Sequence, residues 1–169
     1  MSRRKSDLDT VRSALRVHEL RDRRGRLQNT LRTTRSRLHP CCVVCGGEVP
    51  YGLHLKFEAL ADGSVTAEFD CSELLQGYPS TVHGGIVTSV LDGAMTNCLF
   101  AQGTPAVTAE IRVRFLHPLR TGLHARVMAR IIRTTRRLLF LSAELVQLGH
   151  VVATAEGKFV PHASLINKE

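Results

Sequence analysis

The hydrophobic pattern from residue 53 onward predicts one long helix between two groups of strands. Residues 53–60 and 64–70 are short apolar runs separated by Ala61-Asp62-Gly63, which is typical of a hairpin. The loop QGYPS at residues 76–80 comes next. A helix is then predicted up to residues 102–105, because apolar residues recur at positions i, i+3, i+4 and i+7: Ile86, Val87, Val90, Leu91, Ala94, Met95, Cys98 and Leu99.

Four segments with a period of two follow this helix. In the first, one face is Val107, Ala109, Ile111, Val113 and Phe115, and the other is Thr108, Glu110, Arg112 and Arg114. Residues 123–131, 138–148 and 150–160 show similar strand patterns, with Gly149 in a tight turn. The order predicts an α+β fold in which one helix is wrapped by a curved antiparallel sheet of about six strands.

Asp92 interrupts the apolar helix. At about 100° per residue it lies roughly 140° from the centre of the apolar stripe, near Thr88, Ser89 and Thr96. These neighbours are too small to cover a carboxylate. We therefore expect this second face of the helix to meet another surface.

Composition and charge divide the chain in two. The 169 residues, 43% of them apolar, suit one compact domain. Residues 1–39 hold 12 Lys and Arg against 4 Asp and Glu, whereas the remaining 11 basic residues are matched by 11 acidic ones. We predict a basic, partly helical arm over residues 1–38 and an ordered domain over residues 39–169.

The arm has apolar residues at weakly helical spacing: Leu8, Val11, Leu15, Leu20, Leu27 and Leu31. A solvated helical arm is the favoured interpretation, with docking to a membrane surface, a nucleic acid or a partner protein as alternatives. Its Arg-rich character resembles an organelle transit peptide, but the acids Asp7, Asp9, Glu19 and Asp22 argue against one. The chain has no apolar run of about 18 residues and no secretory h-region, so a cytoplasmic protein without a transmembrane segment is expected.

Five cysteines, an odd number, argue against a disulfide framework. Cys42 and Cys45 form a CxxC that, with His39 and His54, could supply four zinc ligands. There is no second paired spacing, so buried reduced thiols are favoured over a metal site. We expect no metal and no cofactor.

Four segments together carry a family resemblance: HGGIVTSVLDGAM, CCVVCGGEVPYGLHLKF, QGYPSTVHGG and PAVTAEIRVRFLHPL. Over residues 39–160 they resemble the hotdog-fold acyl-CoA thioesterases of the phenylacetic-acid-degradation type. The resemblance implies the hotdog fold, hydrolysis of an acyl-CoA to a free acid and CoA, and a homodimer or homotetramer.

The resemblance also implies roles for individual residues. The backbone N–H of Gly84, with Gly85 as the alternative, polarises the thioester carbonyl at the helix N-terminus, where free donors and the helix dipole stabilise an oxyanion. His83 orients this turn and contacts the substrate. Asp92 activates water or attacks the thioester at a dimer interface, and Thr108 holds the attacking water.

Two positions depart from the family pattern. Relatives often carry Asn or Gln before HGG to bind the acyl carbonyl; Gln76 is the nearest candidate, with Gly77 as the alternative occupant of the matching place. Relatives commonly have Glu after the catalytic Asp, where this chain has Gly93. We expect this glycine to allow a close approach by a facing helix or to make room for an acyl chain. The phosphates of CoA need basic partners, for which the candidates are Arg112, Arg114, Arg126, Arg130, Arg133, Arg136 and Arg137.

The alternative function is a non-catalytic hotdog domain that senses acyl-CoA, with the basic arm binding nucleic acid or another acidic partner. An arm of 38 residues is short for a helix-turn-helix unit, so nucleic acid is a less favoured partner. A dehydratase ranks lower still, since no HxxxE helix pairing is present.

Overall fold

The computed structural model describes the backbone of residues 2–162 and the side chains of residues 15–162. Its helices are α1 (Ser2–Leu38) and α2 (Gly84–Ala101), with a 3-10 turn at Glu73–Leu75. Its strands are β1 (Glu58–Ala59), β2 (Val65–Asp70), β3 (Gln76–Tyr78), β4 (Thr81–Val82), β5 (Ala106–Phe115), β6 (His124–Thr134), β7 (Leu139–Gln147) and β8 (His150–Pro161).

Six strands form one antiparallel sheet in the order β1-β2-β6-β7-β8-β5, and α2 packs against one of its faces. The core between them contains Leu91 and Met95 of α2 together with Val127, Leu141 and Phe159 of the sheet, all fully buried. This arrangement confirms the predicted fold class of one helix wrapped by a six-stranded antiparallel sheet.

The first hairpin turns where the sequence predicts. Asp62 Oδ1 accepts hydrogen bonds from the backbone N–H and the hydroxyl of Ser64, at 2.9 and 2.6 Å, and Gly63 has a φ of 94°. The prediction of a strand over residues 53–57 is wrong. The Leu53 and Leu55 amides donate to the carbonyls of Val43 and Val44, so this segment pairs with the preceding loop and not with the sheet.

The segment predicted as a loop at residues 76–80 contains a short strand. Gln76 and Tyr78 pair with Val82 and Thr81, which makes β3 and β4 a small separate hairpin. Ser80, in the turn between them, has a φ of 60°. This hairpin leads directly into α2 and so determines how the chain enters the helix.

A β-bulge in β5 changes which residues of this strand share a face. Thr108 is opposite Phe159 on β8, Ile111 is opposite Gly157, and the register shifts between Thr108 and Glu110. Because opposed residues share a face, Thr108 lies with Ile111 and Phe159 on the side of α2. Strict alternation predicts that Thr108 and Ile111 lie on opposite faces, so that prediction is wrong for Thr108.

The N-terminal arm is a single helix, and its last third packs on the domain. Leu31 is fully buried and Thr34 is buried. Gln28 Oε1 accepts a 2.7 Å hydrogen bond from the Ala59 amide of β1, and Arg24 forms a 3.1 Å ion pair with Glu58. Residues 15–26 are exposed, and the side chains of Leu8 and Val11 lie outside the described ones. The division of the chain at residue 38 stays a prediction.

A stretch long and apolar enough to span a membrane is not found in any helix of the described residues.

Candidate active site

His83 begins helix α2 and uses its side chain to do so. It is the N-cap residue, and its Nδ1 accepts a 2.9 Å hydrogen bond from the Gly85 amide. The neutral ring therefore carries its proton on Nε2. Gly77 of β3 packs closely behind it, since a Cβ at Gly77 would lie 3.0 Å from His83 Cδ2. The β3–β4 hairpin thus holds His83 against the start of the helix.

Gly84 is the first residue of α2, and its backbone N–H meets no acceptor within residues 2–162. A Cβ at this position would lie 3.4 Å from the ring of Phe115 on β5, so the backbone is approached closely on that side. Since the Gly85 amide is bonded to His83, the two glycines predicted as alternative donors differ: Gly84 has the free N–H group, at the positive end of the helix dipole.

Asp92 is half-buried on α2, and the Thr108 hydroxyl of β5 donates a 2.7 Å hydrogen bond to its Oδ1. Burial raises the pKa of the Asp92 carboxyl above its ordinary value. The Thr108 hydrogen bond lowers the pKa and the nearby Cys42 raises it, while His39 has a smaller lowering effect. The predicted pair of Asp92 and Thr108 is in contact in the structure.

Gly84 and Asp92 of the same chain are too far apart to act on one carbonyl group. Eight residues separate them along α2, which at 1.5 Å per residue is about 12 Å. A reacting carbon must lie within about 3 Å of both the attacking group and the oxyanion donor. The two halves of the predicted machinery are therefore present but separated within one chain.

Gln76 lies in β3, exposed, and its side chain has no hydrogen bond to the described residues. Its Cα partner in the hairpin is Val82, next to His83. Gln76 is therefore at the N-terminal end of α2, on the side of Gly84. Among the candidate arginines, Arg126 forms a 2.7 Å ion pair with Glu68, and the guanidinium of Arg133 lies 3.9 Å from the centre of the Phe140 ring.

Gly93, next to Asp92, contacts a loop of its own chain. The loop at residues 39–48, hereafter the cysteine loop, places Val44 against α2, and a Cβ at Gly93 would lie 2.6 Å from Val44 Cγ1. The sequence interpretation, a close approach by a facing helix or room for an acyl chain, missed this contact. The CCVVCGG motif was its only signal.

The cysteine loop also gathers three groups that can bind a metal. One ligand atom each of His39, Cys42 and Cys45 lies within 4.8 Å of the others. His54, the fourth candidate, is not in this group, because its Nδ1 lies 2.9 Å from the Gly46 carbonyl oxygen. Cys71 and Cys98 are buried separately, and burial raises the pKa of each thiol to about 12. Burial and a raised pKa make Cys71 and Cys98 poor candidates for a nucleophile.

Comparison with known proteins gives a family match for the segment that holds this site. Residues 80–154, from the turn before His83 to β8, match the family model of the thioesterase superfamily. The matched segment is 75 of the 169 residues. Both Gly84 and the Asp92–Thr108 pair lie inside it, and the prediction of a thioester hydrolase of hotdog type is confirmed at the level of the family.

The individual proteins to which this chain is similar are distant in sequence. It is 24% identical to human acyl-coenzyme A thioesterase 13 over 104 residues, which are 60% of this chain and 74% of that protein. The solved PaaI protein of the phenylacetic acid degradation operon of E. coli has a TM-score of 0.69 at 18% identity, covering 81% of this chain and 96% of that one. A further solved thioesterase superfamily protein has a TM-score of 0.62 at 24% identity and covers 64% of this chain, which spans only 54% of that one. These structural likenesses support the fold.

Proposed function

We propose that this protein hydrolyses acyl-CoA thioesters at sites shared between two copies of the chain. The observation that carries the proposal is the separation on α2 of a free Gly84 N–H group and a Thr108-bonded Asp92 by about 12 Å. Two antiparallel helices from two chains can bring the Gly84 of one to the Asp92 of the other. The thioesterase family and the similarity to an acyl-coenzyme A thioesterase support the reaction class.

The chemistry assigned to Asp92 is that of a general base. Thr108 donates to Oδ1, and the second carboxylate oxygen is left to accept a proton from water. The water oxygen attacks the thioester carbon, the proton passes to Asp92, and the carbonyl oxygen becomes an oxyanion that accepts a hydrogen bond from Gly84 N–H. Collapse of this intermediate breaks the C–S bond, and the CoA thiolate takes the proton from Asp92. Direct attack by Asp92 is the alternative.

The interface proposed for the homodimer is the free edge of β5. This strand is at one end of the sheet, so one of its edges has no partner strand in the described chain. Exposed apolar side chains lie along and just after it: Val107, Phe115 and Leu116. An unpaired apolar edge favours pairing with another strand, and a two-fold axis at β5 would extend the sheet across two chains. A homotetramer and a cytoplasmic location remain parts of the same proposal.

The test is release of free thiol from a panel of short-chain, medium-chain, long-chain and aryl-CoA thioesters. We expect activity on at least one class, and a decrease in kcat of about 10²- to 10⁴-fold in Asp92→Asn, because the variant cannot accept the proton. Glu110→Gln is the matched control: Glu110 is an exposed carboxylate of β5 that is ion-paired with Lys158. Inactivity of the wild type on every class, or full activity of Asp92→Asn, would contradict the proposal.

The non-catalytic alternative stays a prediction. Two results would support it: binding of acyl-CoA without release of thiol, and a salt-dependent gel shift of nucleic acid by the full chain that is absent with a chain beginning at His39. Residues 2–38 form one helix, which is not the packed three-helix unit of a helix-turn-helix domain.

A further inference from the structure

The cysteine loop holds three soft ligands at nearly the spacing of a zinc site. The Sγ of Cys45 lies 3.9 Å from the Nδ1 of His39, and all three ligand atoms of His39, Cys42 and Cys45 are within 4.8 Å of one another. Zinc bonds of about 2.3 Å to sulfur and about 2.0 Å to nitrogen place tetrahedral ligands roughly 3.5–3.8 Å apart. Small side-chain movements would bring these atoms to that distance.

We propose that His39, Cys42 and Cys45 bind one Zn²⁺ ion, with a solvent molecule as the fourth ligand. Two thiolates and an imidazole suit Zn²⁺ and not Mg²⁺ or Ca²⁺, which prefer oxygen ligands. The site lies outside residues 80–154, the segment that matches the thioesterase family. It does not depend on the proposed hydrolysis.

The loop that carries the ligands is shaped in advance. The Gly46 amide donates a 2.7 Å hydrogen bond to the Cys42 carbonyl, which closes the turn between the two cysteines. A Cβ at Gly46 would lie 2.5 Å from both the Cys42 nitrogen and the Pro40 oxygen, so only glycine fits there. The Nδ1 of His54 lies 2.9 Å from the Gly46 carbonyl oxygen. The turn thus holds both thiols close together, which reduces the ordering needed to bind a metal ion.

Neighbouring side chains support the ligands as an outer shell. Asn97 of α2 is fully buried, and its Nδ2 lies 3.5 Å from the Sγ of Cys45 while donating to the Gly93 carbonyl at 2.8 Å. The ring of Phe100 contacts the His39 ring edge to face, with centroids 4.8 Å apart. Such contacts orient metal ligands and stabilise a thiolate.

A buried acceptor without a donor lies beside the cluster. Asn97 Oδ1 has no hydrogen-bond partner among the described residues, although the other half of the same amide contacts Cys45. Buried polar atoms without partners are uncommon and call for an explanation. The solvent molecule on the metal is a donor of the required kind.

A simple pair of reduced thiols does not account for these features. A pair of reduced thiols by itself needs neither His39 in the cluster nor an amide donor on Cys45. A metal ion accounts for both. It would also hold the cysteine loop in the shape that places Val44 against Gly93, one residue after Asp92.

The test is titration of the reduced, metal-free full-length protein with Co²⁺, followed by Zn²⁺. Thiolate ligation produces an intense sulfur-to-cobalt charge-transfer band, and tetrahedral Co²⁺ produces visible d–d bands. We expect about one equivalent of Co²⁺ to bind with both features and to be displaced by Zn²⁺, since affinity rises from Co²⁺ to Zn²⁺ at thiolate sites. Zn²⁺ is also expected to raise the melting temperature of the wild type.

Variants identify the ligands. Cys42→Ser and Cys45→Ser should each weaken the charge-transfer band, and Asn97→Ala should lower the Zn²⁺ affinity by roughly 10- to 100-fold. Cys41→Ser is the control, because this neighbouring cysteine is exposed and outside the cluster. The proposal is overturned if the reduced wild type gives no charge-transfer band, or if Cys41→Ser removes the band while Cys42→Ser retains it. The wild-type titration decides the matter even if a variant does not fold.

Discussion

The hydroxyl of Thr108 donates a 2.7 Å hydrogen bond to Asp92 and so joins the edge strand β5 to helix α2. The β-bulge that follows Thr108 makes this possible, because it leaves Thr108 and Ile111 on the same face of the strand. The carboxylate is thereby oriented at a half-buried position beside the strand proposed to pair with a second chain.

Thr108→Val should move the acid limb of the kcat/KM profile to higher pH. Burial already raises the pKa of Asp92 and the Thr108 hydrogen bond lowers it, so removing that bond raises the pKa further. A general base must be deprotonated, and activity is therefore lost at a higher pH as the solution is acidified. Thr108→Ser keeps the hydroxyl and should keep the profile. A limb that stays in place or moves to lower pH in Thr108→Val would count against the assignment.

Gly84→Pro should remove the oxyanion donor without breaking the helix. Gly84 is the first residue of α2, where proline is tolerated, and the preceding His83 has φ −59° and ψ 133°, which suits a residue before proline. Loss of the N–H group should lower kcat by about 10²- to 10³-fold. Gly84→Ala retains the N–H group and adds a Cβ at 3.4 Å from Phe115, so its kcat should stay near the wild-type value. Equal kcat values for the two variants would exclude this donor.

Mixing the Gly84→Pro and Asp92→Asn proteins tests whether sites are shared. In a mixed dimer, one site combines the intact Gly84 of one chain with the intact Asp92 of the other. Random exchange of subunits makes half of the dimers mixed, so about a quarter of the sites should recover activity. The measurement is thiol release after co-expression or joint refolding, compared with each variant alone. If the mixture is no more active than the single variants, each site lies within one chain.

Gly93→Ala should destabilise the protein although alanine favours helix. The new Cβ would lie 2.6 Å from Val44 Cγ1. Overpacking of this kind costs about 1–3 kcal/mol, whereas replacing glycine by alanine in a helix gains at most about 1 kcal/mol. Combining it with Val44→Ala removes the clashing methyl groups. In a double-mutant cycle by urea unfolding, the pair should therefore lose less stability than the sum of the single variants. Additive losses would show that Val44 is not the obstacle.

The period of the hydrophobic pattern was enough to predict α2, the four long strands and the class of fold. Side chains repeat every 3.6 residues on a helix and every two on a strand, so a buried face leaves its mark on neighbouring residues. The same local logic predicted the Asp62-Gly63 turn. The strand predicted over residues 53–57 was wrong, because a contact distant in sequence decides whether this segment pairs with the sheet or with the cysteine loop.

The candidate site shows the same division. HGG and the acid nine residues after its histidine are visible in the sequence and, through the family resemblance, identify Gly84 and Asp92 as candidates. Which glycine keeps a free N–H depends on the rotamer of His83, and the side of β5 that Thr108 occupies depends on a bulge. The His39, Cys42 and Cys45 cluster depends on a turn closed at Gly46 and packed against α2. These features rest on the packing of residues distant in sequence, which a linear pattern does not encode, so only the tertiary structure decided them.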